Sequence, residues 1–259
     1  MLQHTHHTPA DSERLSELTK RTDSTFELHY FRSVGQGGVI RSLLVLGKAN
    51  WKDRFETMDS WPAVKPSTPY GTLPVLYETT ADGEVLQIAE RDVIERYLAK
   101  KLGFFGKNEW EEIQINTALS LAKAVMIAFF TTILIGPESA LPENKKKFLA
   151  EILPNYVKQA EGFIQRNNGN PFFVGKKISL ADVMVSSMLD LFLGIEGVDQ
   201  FINQKDTPLL LKVKETIDTN PELRAYRNSE IYGELNQASM RMLTKKFETY
   251  DPSKARVFS

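Results

Sequence analysis

The periodicity of apolar residues changes once along this chain, between residues 102 and 108, and that change limits the folds available to it. Before this interval, short apolar runs of strand length alternate with helical patterns in the order βαβ and then ββα. After it, only helical periodicity continues, over Glu109–Ile135, Pro142–Arg166, Ser179–Leu193 and Pro208–Asp218. A mixed half followed by a helical half predicts two domains that meet in this interval.

The mixed half carries clear local signals. Strands are predicted for the aromatic-rich TFELHYF from Thr25, within Trp51–Met58, and at Pro74–Glu78 and Glu84–Ile88. The last two flank an Asp82-Gly83 pair, which is a strong hairpin signal. Helices are predicted for Val39–Leu46 and Glu90–Lys101.

Composition excludes several classes of function. Lysine and arginine number 32 against 33 aspartates and glutamates, so the chain has no charge excess to attract nucleic acid or a membrane surface. It contains no cysteine, which excludes disulfides, thiolate metal sites and a protein thiol nucleophile. Any sulfur chemistry must therefore come from a ligand.

The first 24 residues are polar and contain no apolar run of signal-peptide length, which predicts a cytoplasmic protein with a disordered N-terminal extension. His4, His6 and His7 lie in this extension, but no partner ligands follow them, so we expect no metal site. The longest apolar run, Ala124–Ile135, is about a dozen residues long and suits a buried helix better than a membrane span.

The segment Ser179-Leu180-Ala181-Asp182 predicts a helix start. Ser179 can accept from the amide of Asp182, whose carboxylate can reach back to the amide of Ser179, and Ile178 can pack against Val183. We expect a structural role for this cap, worth about 1 kcal/mol or more.

Four segments, taken in their order along the chain, resemble the glutathione transferases, and their local sequences are most similar to the sigma class. They are LHYFRSVGQGGVIR from Leu28, SWPAVKPSTPYGTLPVL from Ser60, ERDVIERYLAKK from Glu90 and FFVGKKISLADVMV from Phe172. The resemblance covers roughly residues 25–229. It implies a thioredoxin-like glutathione-binding domain over 25–101, an all-helical domain over 109–239, a tail over 240–259, and a homodimer.

Tyr30 matches the tyrosine that activates the glutathione thiol in this family. A free thiol with a pKa of about 8.5 is only a few per cent thiolate at neutral pH, and the thiolate is the nucleophile. A phenol O–H that donates to the thiolate contributes about 1.5 to 3 kcal/mol, or roughly one to two pKa units. The alternative is a core tyrosine on a buried strand. His29 is expected on the opposite face, packed and not catalytic.

In this family the proline that matches Pro74 follows a cis bond, which leaves the backbone of the preceding residue available. Leu73 is therefore expected to pair, through its N–H and C=O, with the cysteinyl part of glutathione. Trp61 and Lys65 match residues that hold the glycine carboxylate, one through its indole N–H and one through charge. Alternatively, Trp61 is a packing aromatic and Lys65 a surface charge.

Glu90 and Arg91 stand where most members have an acidic or amide residue followed by serine. By resemblance, Glu90 meets the ammonium of the γ-glutamyl end, whose carboxylate lies at the helix N-terminus. Arg91 either replaces the serine hydroxyl with its guanidinium group or turns outward as an exposed side chain.

Three other positions depart from the family. Gln36 replaces an arginine that assists the thiolate, Lys123 lies where an aspartate from the partner subunit is expected, and Thr72 replaces a longer amide or lysine. These departures predict lower affinity for glutathione or a different thiol.

The sequence thus predicts a cytoplasmic, homodimeric glutathione transferase that joins the glutathione thiolate to small hydrophobic electrophiles, as in detoxification, without a metal. Two alternatives stay open. One is a catalytically weak binding or structural protein, as in crystallins of this fold, and the departures above favour it. The other is a glutathione-dependent isomerase of the prostaglandin-synthase type.

Overall fold

The computed structural model describes residues 9–255, and the chain divides after Gly103 into two compact units. We call residues up to Gly103 the sheet unit and those from Phe104 the helical unit. This division lies between the strand pattern and the purely helical pattern of the sequence. His4, His6 and His7 lie outside the described residues.

The described part of the sheet unit has four strands, β1 (Thr25–Phe31), β2 (Asn50–Glu56), β3 (Val75–Thr79) and β4 (Val85–Ala89), which form a sheet in the order β2-β1-β3-β4. β1 is parallel to β2 and antiparallel to β3, which forms a hairpin with β4. Helices α2 (Gly38–Leu46), α3 (Trp61–Val64) and α4 (Arg91–Leu102) follow β1, β2 and β4. This arrangement confirms the predicted thioredoxin-like domain.

β1 pairs along both edges, with β2 and with β3, and residues on both of its faces are buried. Leu28 is fully buried and pairs with Leu76 of β3, and Tyr30 is buried beside Phe55 of β2. His29 lies between them with its side chain on the opposite face, as the two-residue period of a strand requires. It is also buried.

Residues 9–19 differ from the predicted disordered extension, because they form helix α1 (Pro9–Thr19). Leu18 is buried, the Arg14 guanidinium pairs with Glu84 at 2.5 Å, and Lys101 Nζ donates to the Thr19 carbonyl at 2.9 Å. The sequence of α1 has a weak apolar pattern of its own, so these contacts with the sheet unit were not readable from it.

The helical unit contains α5 (Glu109–Phe129), α6 (Leu141–Lys147), α7 (Leu153–Gln165), α8 (Leu180–Phe192), α9 (Pro208–Asp218), α10 (Pro221–Arg227) and α11 (Glu230–Lys246). A π-helical turn at Phe130–Leu134 continues α5 to the end of its predicted helix. Another at Phe148–Ile152 lies between α6 and α7, within the second predicted helix. The prediction that the second domain is all-helical is therefore confirmed.

Helix α5 and its π-helical end are apolar along most of their length. We predicted a buried helix over Ala124–Ile135, but the structure buries one stripe, Val125, Phe129 and Ile133, and exposes Ile127 and Ile135. The buried residues recur every four positions, which is the spacing of one helix face. By length and composition alone, Glu109–Leu134 would also suffice to cross a membrane, a test that core helices of soluble proteins pass as well.

The start of α8 forms the predicted capping box. The Asp182 carboxylate accepts from the Ser179 amide at 2.7 Å, from the Ser179 hydroxyl at 2.6 Å and from the Phe173 amide at 2.7 Å. Because Asp182 is fully buried, desolvation raises its pKa to about 6, against the lowering effect of these hydrogen bonds.

The last described residues pack into the helical unit. The first part of the predicted tail, up to Lys246, continues α11. Beyond it, the Phe247 ring stacks on Phe129 with centroids 6.2 Å apart, and Tyr250 covers Gly194, where a Cβ would lie 2.6 Å from the tyrosine ring.

Candidate glutathione site

The Tyr30 hydroxyl lies at the end of β1, where the chain turns into α2. Its oxygen accepts the backbone N–H of Gln36 at 3.0 Å. A phenol oxygen that accepts this bond keeps its own proton for another acceptor. Gln36, which departs from the family in its side chain, thus contacts the tyrosine through its backbone, a role that side-chain comparison could not show.

Two glycines allow the turn to approach Tyr30 closely. A Cβ on Gly35 would lie 2.8 Å from the Tyr30 hydroxyl oxygen, and one on Gly37 would lie 2.9 Å from the ring. Gly35 also has φ +36°, a conformation that side chains disfavour. These positions therefore need glycine for the amide of Gln36 to reach the hydroxyl.

Arg41 is a second residue that sequence reasoning missed. It is buried on α2, its Nε donates to the Asp53 carboxylate at 2.9 Å, and its Nη1 donates to the Ser33 carbonyl at 2.8 Å. The guanidinium thereby ties the turn after β1 to β2. Its carbon also lies 5.9 Å from the centre of the Tyr30 ring.

The surroundings of Tyr30 keep its hydroxyl protonated. Burial raises the pKa of Tyr30, and this effect exceeds the lowering by the Gln36 amide and by the charges of Arg41 and Arg91. At neutral pH the group is therefore a hydrogen-bond donor and not a base. Arg91 is close enough to Tyr30 for its charge to contribute.

Trp61 and Lys65 follow β2 on a short helical segment. The Trp61 ring meets Phe31, the neighbour of Tyr30, edge to face with centroids 5.6 Å apart. The Lys65 side chain runs past Gly71, where a Cβ would lie 3.4 Å from its Cε. Both residues are thus near β1 and the loop before Pro74, in the same unit as Tyr30.

The Leu73–Pro74 bond is cis, which confirms the expectation from the resemblance. The ladder between β1 and β3 ends at the pair His29–Val75, so Leu73 lies beyond it. The neighbouring Thr72 hydroxyl donates to Glu90 Oε1 at 3.1 Å. The structure therefore brings the loop before β3 together with the start of α4.

Glu90 is the N-cap residue of α4 and has φ 71°, which is rare for a residue with a side chain. Its carboxylate does not cap its own helix but receives Thr72. Left-handed backbone at such a residue costs on the order of 1 to 3 kcal/mol, so the surrounding structure must hold it.

Arg91 was predicted either to replace the serine hydroxyl or to turn outward, and its side chain instead pairs with the neighbouring Asp92. Its side chain is largely buried and its Nε and Nη2 donate to Asp92 Oδ1 at 3.1 and 2.9 Å. Glu95 Oε1 lies 3.8 Å from its Nε. Because Glu95 is almost fully buried, its pKa rises to about 7, against the opposing charges of Arg91 and Arg96.

Within the described part of the chain, no group of three or more histidine, aspartate or glutamate side chains is arranged to hold a metal ion. The polar groups near Tyr30 are instead donors and single carboxylates. This set suits a zwitterionic organic ligand better than a cation.

Comparison with known proteins decides the family. The family model for the glutathione S-transferase C-terminal domain matches residues 128–230. Glutathione S-transferase 1 of Ascaris suum is 31% identical over 170 residues, which cover 63% of this chain and 78% of that protein. This chain belongs to the glutathione S-transferase family. The family has many further members at similar identity, in agreement with the resemblance of the four sequence segments.

Solved structures of this family share the fold. The Fasciola hepatica sigma class transferase has a TM-score of 0.67 and 24% identity, covering 79% of this chain and 95% of that one. Na-GST-3 of Necator americanus, described as monomeric, has a TM-score of 0.68 and 25% identity, covering 80% of this chain and 97% of that one. Both similarities extend over the sheet unit and the helical unit of a transferase.

Proposed function

We propose that this transferase binds glutathione in the sheet unit and activates its thiol through the hydroxyl of Tyr30. The observation that supports this most directly is the hydrogen bond from the Gln36 amide to the Tyr30 oxygen. It fixes the orientation of the phenol and leaves its proton for a thiolate. Burial keeps the phenol protonated, so the donor is present at neutral pH.

The hydrogen bond from Tyr30 is expected to lower the pKa of the bound thiol. A hydrogen bond to a charged acceptor contributes about 1.5 to 3 kcal/mol, which lowers a thiol pKa by roughly one to two units. Glutathione bound in this way would have the thiolate as a major species at neutral pH, and the thiolate attacks the electrophile. The charges of Arg41 and Arg91 favour an anion near Tyr30 as well.

Other predicted residues contact different parts of glutathione. Trp61 and Lys65 receive the glycine carboxylate, and Leu73, beyond the end of the β1–β3 ladder, receives the cysteinyl backbone. The cis bond to Pro74 sets the direction of the chain at this point.

Glu90 accepts the ammonium of the γ-glutamyl end, while Thr72 supports the Glu90 carboxylate. Arg91, whose guanidinium pairs with Asp92, acts on the thiolate through its charge at a distance and does not replace the serine hydroxyl.

We propose a small hydrophobic electrophile as the second substrate, a cytoplasmic location and a homodimer. The resemblance supports the dimer, although the related Na-GST-3 is described as monomeric. Light scattering on the purified protein measures this state directly. A mass of one chain, 29.4 kDa, at all concentrations would exclude the dimer.

A glutathione-dependent isomerase remains a second candidate, because a prostaglandin synthase D of Nilaparvata lugens shares the fold at 26% identity. Conjugation and isomerisation use the same thiolate. They differ in whether glutathione is consumed, so product analysis separates them.

The test is turnover of glutathione with an activated aryl halide, followed by thioether absorbance. Tyr30→Phe is expected to lose most activity, whereas the matched variant Tyr77→Phe, on the neighbouring strand β3, is expected to keep it. Binding of glutathione without turnover in the unaltered protein would replace the enzyme with the binding-protein alternative. Equal activity of all three proteins would remove Tyr30 from the mechanism.

A further inference from the structure

We propose that His29, Glu56 and Ser60 form a positioning network that fixes the start of α3 and thereby orients Trp61 toward the ligand. This inference rests on the proposed function only in naming the ligand group, the glycine carboxylate of glutathione. The three residues do not touch the reacting thiol. They are positioning residues.

The network begins in the core of the sheet unit. His29 of β1 is 1% exposed, and its Nε2 lies 2.9 Å from Glu56 Oε2, at the end of the adjacent parallel strand β2. The other oxygen of Glu56 accepts the Ser60 hydroxyl at 2.5 Å. A polar connection therefore leads from β1, the strand that contains Tyr30, to the residue that precedes Trp61.

Ser60 is the residue on which the turn between β2 and α3 closes. Its oxygen accepts the Thr57 amide at 3.1 Å, its amide donates to Thr57 Oγ1 at 3.1 Å, and the Trp61 amide donates to the Thr57 carbonyl at 3.0 Å. The hydroxyl has one proton, and the shortest contact gives it to Glu56. Glu56 thus anchors the whole turn to the sheet.

Burial, neighbouring charges and hydrogen bonds determine the protonation states of His29 and Glu56. Burial lowers the pKa of His29, assisted by the charge of Arg54 and opposed by Glu56 and Glu27, so the imidazole is neutral at neutral pH. Hydrogen bonds from Ser60 and His29 lower the pKa of Glu56, which remains a carboxylate. The neutral ring then donates from Nε2–H, which leaves Nδ1 as a buried acceptor that has no partner among the described residues.

Burying the Glu56 carboxylate costs desolvation free energy that an apolar side chain at this position would not. A buried ionised group is frequently replaced by apolar side chains of similar volume without loss of stability. Here the carboxylate instead holds the turn that carries Trp61, whose ring also contacts Phe31 next to Tyr30. The network therefore connects the strand of the catalytic tyrosine with the residue proposed to bind the glycine carboxylate.

Ser60→Ala tests the connection, and Ser60→Thr, which keeps the hydroxyl, is its rescue. We expect Ser60→Ala to raise the glutathione KM and Kd about fivefold to tenfold, less than the loss of a direct hydrogen bond to a charged ligand group, because Ser60 acts through the position of Trp61. The kcat at saturating glutathione and the pKa of the bound thiol are expected to stay unchanged. Ser60→Thr is expected to restore binding.

Ser67→Ala is a matched control, because the Ser67 hydroxyl donates to the Val64 carbonyl at the other end of the same segment. It is expected to bind glutathione as the unaltered protein does. Glu56→Leu, which removes the acceptor of the Ser60 hydroxyl, is expected to weaken binding as Ser60→Ala does. The double variant is expected to be no worse than either single variant, because both remove the same contact.

The indole N–H signal of Trp61 in the ligand-free protein gives an independent reading by NMR, with Trp61→Phe for assignment. We expect this signal to shift in Ser60→Ala and to return in Ser60→Thr. An unchanged signal in Ser60→Ala, or a loss of kcat equal to the rise in KM, would overturn the network. If the unaltered protein does not bind glutathione, the proposed function fails, while the indole signal still decides the positioning claim.

Discussion

Helices α8 and α4 begin in opposite ways, and the difference separates a structural helix start from one suited to a ligand. At α8, the buried Asp182 carboxylate accepts three hydrogen bonds from its own segment and from Phe173. At α4, the cap residue Glu90 has left-handed backbone, is exposed, and turns its carboxylate to Thr72. Both helices bury residues in the core of their unit. Only α8 has backbone amides at its start that are hydrogen-bonded by a side chain of the same helix.

The two helix starts show that a carboxylate can either be used up by the fold, as in Asp182, or stay open to a further partner, as in Glu90. A carboxylate that is buried and fully bonded stabilises the fold and has no capacity left for a ligand. A carboxylate held near the surface by one threonine can still meet an ammonium group. Substitutions at α8 should therefore change stability, and substitutions at α4 should change affinity.

The largest effect is expected for Asp182→Ala. It leaves the buried amides of Phe173 and Ser179 without an acceptor, and each such loss costs about 1 to 3 kcal/mol. We expect the free energy of unfolding to fall by about 3 kcal/mol, measured by urea titration, with the exposed Asp199→Ala as control. Glutathione affinity of the folded protein should not change. Equal midpoints for the two variants would contradict a structural role.

The pH dependence sharpens the same prediction. Because the pKa of Asp182 is raised to about 6, the folded protein holds a proton there that the unfolded chain has released. The contribution of Asp182 to the free energy of unfolding therefore decreases as pH rises from about 4 to 6. Asp182→Asn should lose this part of the slope, which urea titrations across the window measure. An identical slope would show that Asp182 does not titrate there.

Glu90 is expected to give the next effect, on binding and not on folding. Glu90→Ala should weaken glutathione binding about tenfold or more, because a charged contact to the ammonium is lost. Glu90→Gly should weaken binding equally without loss of stability, since glycine accepts left-handed backbone without strain.

Calorimetry with glutathione and urea titration measure the two consequences separately. Glu84→Ala, an exposed carboxylate on the β3–β4 connection, is the control and should bind normally. A loss of stability in Glu90→Ala without a change in affinity would reverse the comparison and make the α4 start structural.

Lys65→Ala should have the smallest effect. An exposed lysine that meets the glycine carboxylate acts as a point charge, so we expect a decrease in affinity of a few-fold that diminishes at high salt. Stability should hardly change. Lys52→Ala, on an exposed position of β2, is the control. Unchanged calorimetric affinity in Lys65→Ala would remove this residue from the site.

The sequence predicted those features that local patterns encode. The alternation in β1, the Asp82-Gly83 hairpin and the Ser179–Asp182 cap are each determined by residues a few positions apart. The cis bond at Pro74 required the family resemblance, since proline alone allows either isomer.

Contacts between distant segments could not be read in the same way. The Gln36 amide on Tyr30 is a backbone contact that no side-chain pattern records. His29 and Glu56 are 27 residues apart in the sequence, and their buried contact depends on the register between β1 and β2. The sequence indicated that His29 is packed, but its partner became identifiable only when β1 and β2 were aligned.

The pKa of the glutathione thiol in the bound state tests the central claim most directly. Thiolate absorbance is followed across pH for the unaltered protein and for Tyr30→Phe, which keeps the ring and deletes the hydroxyl. We predict a thiol pKa below the free value in the unaltered protein, and a rise by roughly one to two units in Tyr30→Phe. Activity should return at alkaline pH, where thiolate forms unaided. A lowered thiol pKa that persists in Tyr30→Phe would contradict the account, as would a bound thiol that titrates like free glutathione in the unaltered protein.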